Sequence, residues 1–377
     1  MLGWVAFWSG MSQEMLYPLI PTFVVVFLGG SKAVLGLIEG LLAAGVTVAQ
    51  LGSARLLDRG ASPRRLTRVS YALSLVARPL IALVPNVAML GVLRVTDGIG
   101  KGGKDGPRDT LVAEDAGSAA GKSFGIQRAL DTFGSVAGPV AAGLLVLALG
   151  NGESALRITF ALAAIPAFGA AIGLTRVHDA RPRPSTRPRT HGRLPRPFVV
   201  LLVAVTVFGL ANSSDTLLLL RGHTIGLSSA QLAFAFAGLN LAYAAMAIPA
   251  GSLSDRIGRR PLLIVAWAVY VAVYAGFAYL ERGWQLWGLF ILYGLYYAAA
   301  DGTLKAWVLE LVPAERRGAA YGFLAAASGV LVLPASLLAG WLWDAYGPKP
   351  AFLLGAAFAS VALVIVLASP SLRRELA

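Results

Sequence analysis

The chain has no cysteine, only three histidines, and few charged residues, which make up 14% of its 377 positions. The absence of cysteine excludes disulfides, thiol catalysis and thiolate metal sites. All three histidines fall outside the predicted helices, and no nucleophile–base pair accompanies them. No nucleotide-binding motif is present either. We therefore predict that the protein is not an enzyme and has no cofactor and no resident metal.

Hydrophobic residues make up 57% of the sequence, and its mean hydropathy is +0.70. A water-soluble protein of this size could not bury so much apolar surface, so lipid is the predicted solvent for most of the chain. The net charge of +13 would suggest nucleic acid in a soluble protein. In a membrane protein, basic residues instead collect in cytoplasmic loops. We therefore expect no nucleic-acid partner.

Twelve apolar stretches are long enough to cross a bilayer, which predicts an all-α integral membrane protein. Six stretches fall in each half of the chain. Their approximate limits are residues 1–28, 33–56, 69–86, 88–110, 122–148 and 155–175, then 197–221, 228–252, 261–280, 284–311, 317–343 and 349–368.

Residues 176–196 separate the two halves and contain seven arginines with almost nothing apolar. Such a segment predicts a basic linker that builds no core. With the linker placed inside the cell, about 24 of the 32 basic residues fall in inside segments and five outside. This distribution places both termini in the cytoplasm and predicts a multi-pass protein of the cell's inner (plasma) membrane.

The two halves resemble each other at a constant offset of 197 residues. This offset relates Asp58 to Asp255 and Arg108 to Lys305, and glycines at 121 and 125 to those at 318 and 322. One shift that covers separate landmarks indicates a duplication. Membrane proteins built from two such halves are usually transporters that hold their ligand between the halves.

Three motifs add detail. Residues 251–260 read Gly-x-Leu-x-Asp-Arg-x-Gly-Arg-Arg, with a degraded copy at residues 54–65. Residues 94–100 read Arg-x-x-x-Gly-x-Gly. Residues 125–143 read Gly-x8-Gly-x3-Gly-Pro-x3-Gly, with Ala142 where glycine is usual. On these motifs the chain resembles the major facilitator superfamily over essentially its whole length.

The resemblance implies twelve transmembrane helices in two pseudo-symmetric six-helix bundles, residues 1–175 and 197–377. The third motif is similar to the one associated with proton-coupled antiporters of that family. The resemblance also implies that the loops carrying the first motif and its degraded copy form a latch, which keeps the cytoplasmic side of the protein closed. The residues assigned to this latch are Asp58, Arg59, Asp255, Arg256 and Arg259.

Within the third motif, Gly138 and Pro139 predict a bend in helix 5, because proline removes an internal hydrogen bond. Glycines at four-residue spacing also predict close helix packing.

Ionisable groups inside the bilayer are costly and are functional candidates by default. Glu14 lies near the middle of helix 1, and Asp215 lies at nearly the matching position of helix 7. A carboxyl group removed from water can load and release a proton near neutral pH, as proton coupling requires. We predict proton coupling at Glu14, Asp215 and Asp97. The alternative is a carboxylate permanently paired with a buried arginine.

Helix 4 carries charges every three or four residues, from Arg94 to Arg108, so they share one face. Arg94 and Asp97 are predicted to reach the cavity, whereas Lys101 and the residues after it are predicted to form a solvated face. The residues predicted to bind substrate are Tyr17, Arg78, Arg94, Asn212, Asn240, Tyr243 and Asp301.

These observations favour a secondary active transporter that works by alternating access. We expect a monomeric, proton-coupled antiporter that exports a small organic molecule, an organic anion or a drug-like compound. One alternative is import of copper, since Met11 and Met15 place two thioethers on one helix face. Another is a membrane sensor that does not transport.

Overall fold

The computed structural model describes residues 1–116, 120–176 and 194–372. No strand occurs within these ranges, where twelve long helical segments follow one another. The expectation of an all-α chain with twelve segments is confirmed. In chain order they are α1 (residues 2–27), α2 (Lys32–Asp58), α3 (Pro63–Leu83), α4 (Val87–Ala116), α5 (Ala120–Leu149), α6 (Glu153–Thr175), α7 (Arg196–Thr224), α8 (Ser229–Ile257), α9 (Arg259–Ala278), α10 (Gly283–Leu311), α11 (Arg317–Tyr346) and α12 (Pro348–Ala368).

Most predicted helix limits agree with the structure to within a few residues, and the largest differences, of six residues each, are the end of α4 and the start of α3. This helix begins at Pro63, six residues before the predicted limit. Ser62 caps it, because its hydroxyl accepts a hydrogen bond from the Arg65 backbone N–H at 3.2 Å. A serine cap followed by proline at the first helical position is a strong start signal. The basic residues after Ser62 are therefore helical.

Nine of the described segments are long and apolar enough to cross a membrane on composition alone. The other three are α1, α4 and α10. The α-helical part of α1 ends at Leu16 and continues through a 3-10 turn at Tyr17–Leu19. α4 carries the repeated charges, and α10 carries several tyrosines. These three segments carry Glu14, Asp97 and Asp301, which are among the candidate functional residues.

The described chain separates into two compact units. Within the described residues, unit 1 comprises 1–31, 41–116, 120–176 and 226–237, and unit 2 comprises 32–40, 194–225 and 238–372. Most of the predicted basic linker, residues 177–193, lies outside the described part of the chain. The division at residues 175 and 197 stays a prediction.

Within unit 1, glycines allow α5 to lie against α1 almost backbone to backbone. A Cβ atom at Gly138 would lie 2.6 Å from the carbonyl oxygen of Met11 and 2.9 Å from Cβ of Glu14. A Cβ atom at Gly134 would collide with the carbonyl oxygen of Phe7. The expectation of close packing at these glycines is confirmed, and α1 is fixed against α5 at the level of Glu14.

A second glycine contact in unit 1 joins α4 to α2. Cβ atoms at Gly98 and Gly102 would collide with the carbonyl oxygens of Leu42 and Val46. Small residues four apart thus let the two backbones touch, as is common in membrane helix pairs. This close backbone contact positions the charged helix α4 against α2 without using any polar side chain.

Unit 2 has an aromatic core. The rings of Phe208 and Trp267 stack at 4.7 Å, and those of Tyr270 and Tyr274 stack at 4.3 Å.

In the same unit, the carboxylate of Asp344 accepts hydrogen bonds from the first backbone N–H groups of α2, at 3.2 and 2.9 Å. A carboxylate at a helix N-terminus satisfies donors that have no partner in the helix.

One hydrogen-bond arrangement occurs in both units. Arg68 of α3 donates from Nη2 to the carbonyl oxygens of Leu174 and Thr175 at the end of α6. Arg260 of α9 donates from Nη2 to the carbonyl oxygens of Val366 and Leu367 at the end of α12. In each case an arginine satisfies the last carbonyl groups of a helix, where a positive charge is favourable. The shared arrangement supports the duplication inferred from sequence.

We predict that Gly102→Val lowers stability by about 1–3 kcal/mol, because the new side chain must enter the contact with α2. Gly106→Ala is the matched control, since its Cβ would meet only a side-chain methyl of Leu57, at 3.8 Å. Thermal unfolding in detergent measures both variants. Equal melting temperatures for Gly102→Val and the unmodified protein would contradict the close contact.

Candidate functional site

A buried guanidinium group organises the polar centre of unit 1. Arg78 of α3 has no exposed side-chain area. Its Nε donates to Asp97 of α4 at 2.9 Å, and its Nη1 donates to the Ser9 carbonyl of α1 at 2.8 Å. Its Nη2 donates to Oε1 of Gln13 at 3.2 Å. One side chain therefore ties three helices together where lipid offers no partners.

Two carboxyl groups in this network have different surroundings. Asp97 is 2% exposed and lies between Nε of Arg78 and Nη1 of Arg94, the latter at 3.8 Å. Glu14 accepts a hydrogen bond from Nε2 of Gln13 at 2.8 Å. Among the described residues, no basic nitrogen lies within 4.0 Å of the Glu14 carboxylate. Asp97 is thus a partner in buried ion pairs, whereas Glu14 is held by a neutral amide.

The charged face of α4 continues past this network. Lys104 is 8% exposed, so the predicted solvated face is wrong at this position. Its ammonium group lies 4.7 Å from the centre of the Tyr71 ring and 3.4 Å from the Ser9 hydroxyl. No carboxylate oxygen of the described side chains lies within 4.0 Å of it. The prediction failed because α3 and α1 cover this part of α4, at Tyr71 and Ser9.

A second acidic centre lies in unit 2 at a break in α7. Ala211 ends one helical piece, and Asp215 begins the next. The Asp215 carboxylate accepts hydrogen bonds from Tyr293 at 2.8 Å and from Tyr297 at 3.2 and 3.0 Å. Two phenol donors from α10 therefore stabilise this carboxylate at a helix N-terminus, where negative charge is favourable.

The break in α7 releases backbone groups that need partners within the protein. Tyr270 donates to the Ala211 carbonyl at 2.8 Å, and Tyr274 donates to the Ser213 carbonyl at 3.3 Å. The side-chain oxygen of Asn212 is buried and has no hydrogen-bond partner within the described chain. Asn212 and Asp215 are therefore brought together at one unwound segment, and Asn212 keeps an acceptor available.

The remaining residues predicted to bind substrate are spread over both units. Tyr17 stacks on Phe236 at 5.1 Å in unit 1. Asn240 and Tyr243 are half-buried on α8 in unit 2. Asp301 pairs with Lys305 one turn later on α10, at 2.9 Å, and both are exposed. The role of these four residues in substrate binding stays a prediction.

The predicted latch residues of unit 2 form a surface network. Arg259 pairs with Asp255 and also with Glu310, whose carboxylate lies 3.0 Å from Nε. Its Nη1 donates to the Ser254 hydroxyl at 2.9 Å. Gly258 has φ +90°, a conformation that favours glycine, and it lets the chain turn between α8 and α9. The network ties the ends of α8 and α10 to the start of α9.

The other latch residues lie at exposed helix ends. Arg256 is exposed near the end of α8, and Asp58 and Arg59 are exposed at the end of α2. The predicted bend at Pro139 falls inside α5, which is helical on both sides of the proline.

Several polar residues of the site were not predicted from the sequence. Gln13 and Ser9 link Arg78 to α1, and Lys104 is buried. Glu39 of α2, in unit 2, is 3% exposed. The sequence could have indicated Glu39, because it is a lone carboxylate inside an apolar run. Ser9 gave no signal, since serine is common in membrane helices.

The structure defines a multi-pass membrane protein with buried ion pairs and a broken helix, the class to which secondary transporters belong. The family model described as Major Facilitator Superfamily matches residues 2–221 and 199–375. The chain belongs to this superfamily. Its twelve transmembrane helices form the fold of that family, two pseudo-symmetric six-helix bundles, and it is a membrane transporter.

Relatives and solved structures agree with this assignment. An uncharacterized MFS-type transporter of Methanocaldococcus jannaschii is 30% identical over 97% of this chain and 93% of its own. The multi-drug resistance efflux pump PmrA of Streptococcus pneumoniae is 27% identical over 38% of this chain and 37% of its own. The nucleoside transporter NupG superposes with a TM-score of 0.77 at 12% identity, over 97% of each chain. The xylose transporter XylE from E. coli superposes with a TM-score of 0.75 at 15% identity, over 97% of this chain and 94% of its own.

We predict that Asp97→Asn lowers stability by about 3–5 kcal/mol, because two buried guanidinium groups lose their shared carboxylate. Asp301→Asn is the matched control and should cost about 0.5 kcal/mol, since its pair with Lys305 is exposed. Melting temperatures in detergent compare the two variants. A loss no larger in Asp97→Asn than in Asp301→Asn would show that the buried pairs do not support the fold.

Proposed function

We propose that this transporter is a proton-coupled antiporter that exports a small organic anion from the cell. The observation that carries the proposal is the different bonding of the two carboxyl groups in unit 1. The efflux pump PmrA, which is a partial relative, supports export. We also propose that it acts as a monomer in the cell's inner membrane. The distribution of basic residues supports a topology with both termini in the cytoplasm.

Of the predicted coupling residues in unit 1, Glu14 fits the role better than Asp97. A carboxylate between two guanidinium groups is strongly held in its charged form. Asp97 therefore serves as a permanent partner of Arg78 and Arg94. Glu14 is bonded to an amide, and an amide can either donate or accept. Glu14 can thus bind a proton without leaving a buried cation unpaired.

The amide of Gln13 links the protonation of Glu14 to Arg78. While Glu14 is charged, the amide nitrogen donates to it and the amide oxygen accepts from Arg78. A protonated Glu14 can donate to the Gln13 amide oxygen, and the rotation of the amide that makes this bond turns its NH2 group toward Arg78. Arg78 then loses one of its partners and gains a free donor. An anionic substrate is the complementary acceptor, which links proton binding to substrate binding.

Lys104 supports a negative charge on the substrate. Its ammonium group is buried beside Ser9, and Arg78 also donates to Ser9. A buried cation without a carboxylate partner is costly, so an anion that reaches this position is stabilised. In unit 2, Asp215 and Asn212 at the broken helix provide the second group of candidates for coupling and binding.

Alternating access then follows the general scheme for two-bundle transporters, in which the halves rock about a central site. We propose that Asp255 and Arg259 fix the conformation of the loop between α8 and α9 during this motion. Residues Asp58, Arg59 and Arg256 are proposed to act at the same face.

We predict that Glu14→Gln abolishes transport driven by a pH gradient but leaves substrate exchange, since a neutral amide replaces the protonated carboxyl group. Proteoliposomes with and without an imposed pH gradient separate the two activities. Glu153→Gln is the matched control, because Glu153 pairs with Arg157 outside the Glu14 network.

Loss of both activities in Glu14→Gln would instead indicate a structural or substrate-binding role for Glu14. Gradient-driven transport at the unmodified rate would remove Glu14 from the coupling mechanism.

We predict that Lys104→Gln raises the apparent Kd for anionic substrates about tenfold or more, because a charge-assisted contact is lost. The Kd for neutral compounds should stay unchanged. The probes are organic carboxylates and their neutral amides, screened by thermal shift on purified protein, since a ligand stabilises the state that it binds. Equal losses for both classes of compound would contradict an anion-binding role.

A further inference from the structure

An apolar groove lies on unit 1 between α3 and α6. It has a volume of about 670 Å³ and extends from Arg68 to Leu80 along α3. Apart from Arg68 and Thr175 at one end, its lining residues are apolar. Small side chains at Ala72 and Ala171 leave the groove open, and Phe168 forms part of its wall. Most of the groove surface is therefore apolar, and one end is cationic.

The dimensions of the groove match one leaflet of a bilayer. Twelve residues separate Arg68 from Leu80. Twelve helical residues span about 18 Å, while one leaflet contributes about half of the 30 Å hydrocarbon thickness. An acyl chain that lies along α3 would therefore reach from the headgroup level at Arg68 to about the middle of the membrane.

The cationic end of the groove retains unused donors. Arg68 donates from Nη2 to carbonyl oxygens of α6, but its Nε is buried and without a partner in the described chain. Nε of Arg64, one turn earlier on the same face of α3, is also buried and without a partner there. The guanidinium groups of Arg64 and Arg68 lie one helical turn apart, and their positive charges are complementary to a phosphate group.

We infer that this groove binds one anionic phospholipid, with its phosphate at Arg68 and an acyl chain between α3 and α6. The end at Arg68 is the end that we place at the cytoplasmic face. Basic pockets between membrane helices on that face are typical sites for anionic headgroups. The site is separate from the Glu14 network, and its occupation does not depend on which substrate is transported.

The counterpart in unit 2 provides an internal comparison. Arg260 caps α12 as Arg68 caps α6, but its Nε donates to the Val366 carbonyl at 3.3 Å. The corresponding nitrogen of Arg68 has no such partner. The two arginines therefore share the helix-capping role, and the unused Nε distinguishes Arg68.

Native mass spectrometry of the full chain in detergent tests this inference, with phosphatidylglycerol and phosphatidylcholine added at equal concentration. The unmodified protein should retain phosphatidylglycerol about fivefold more strongly, as expected for one basic residue near an anionic headgroup. Arg68→Gln should abolish this preference. Arg260→Gln removes the equivalent helix cap and should keep it. Arg65→Gln removes an equal charge from an exposed position of α3 and should also keep it.

Ala72→Trp fills the groove from an exposed position while Arg68 stays in place, and it should weaken the retention of both lipids. Inorganic phosphate should not displace phosphatidylglycerol. Preserved preference in Arg68→Gln, an equal loss in Arg65→Gln or Arg260→Gln, or displacement by inorganic phosphate would each overturn the assignment. If Arg68→Gln does not fold, unchanged retention of both lipids in Ala72→Trp would overturn it.

Discussion

The absence of hydrogen-bonding partners in lipid is the constraint on which the rest of this structure depends. Every charge carried into the membrane must be satisfied by the protein itself. Arg78 shows the consequence most clearly, because it donates to a carboxylate, a backbone carbonyl and an amide on two other helices. The position of α1 relative to α3 and α4 therefore follows from the bonding requirements of one guanidinium group.

Backbone packing and polar bonding act on the same part of α1. Gly138 of α5 approaches the backbone of α1 at Met11 and Glu14. Arg78 reaches the same helix at Ser9 and Gln13. The glycine motif of α5 thus contributes to the polar site although it has no polar side chain. A change in the tilt of α5 would alter the surroundings of Glu14 directly.

The two units stabilise their carboxyl groups with different kinds of hydrogen-bond partner. Unit 1 places carboxyl groups beside guanidinium groups and an amide, whereas unit 2 surrounds Asp215 with the phenol groups of α10. A charged partner holds a carboxylate in its ionised form, while neutral donors leave proton binding open. Glu14 accepts a hydrogen bond from an amide and Asp215 accepts from two phenol groups, whereas Asp97 lies beside two guanidinium groups.

The sequence alone determined the number and approximate limits of the helices, because apolar length and charged loops report directly on lipid. It also identified Glu14, Arg78 and Asp97 as unusual, since any ionisable residue in an apolar run is unexpected. Tertiary structure decided which of these groups pair, because Arg78 and Asp97 lie on different helices and meet only after packing. It also buried Lys104, which the sequence placed on a solvated face, because exposure depends on the neighbouring helix and not on position along the chain.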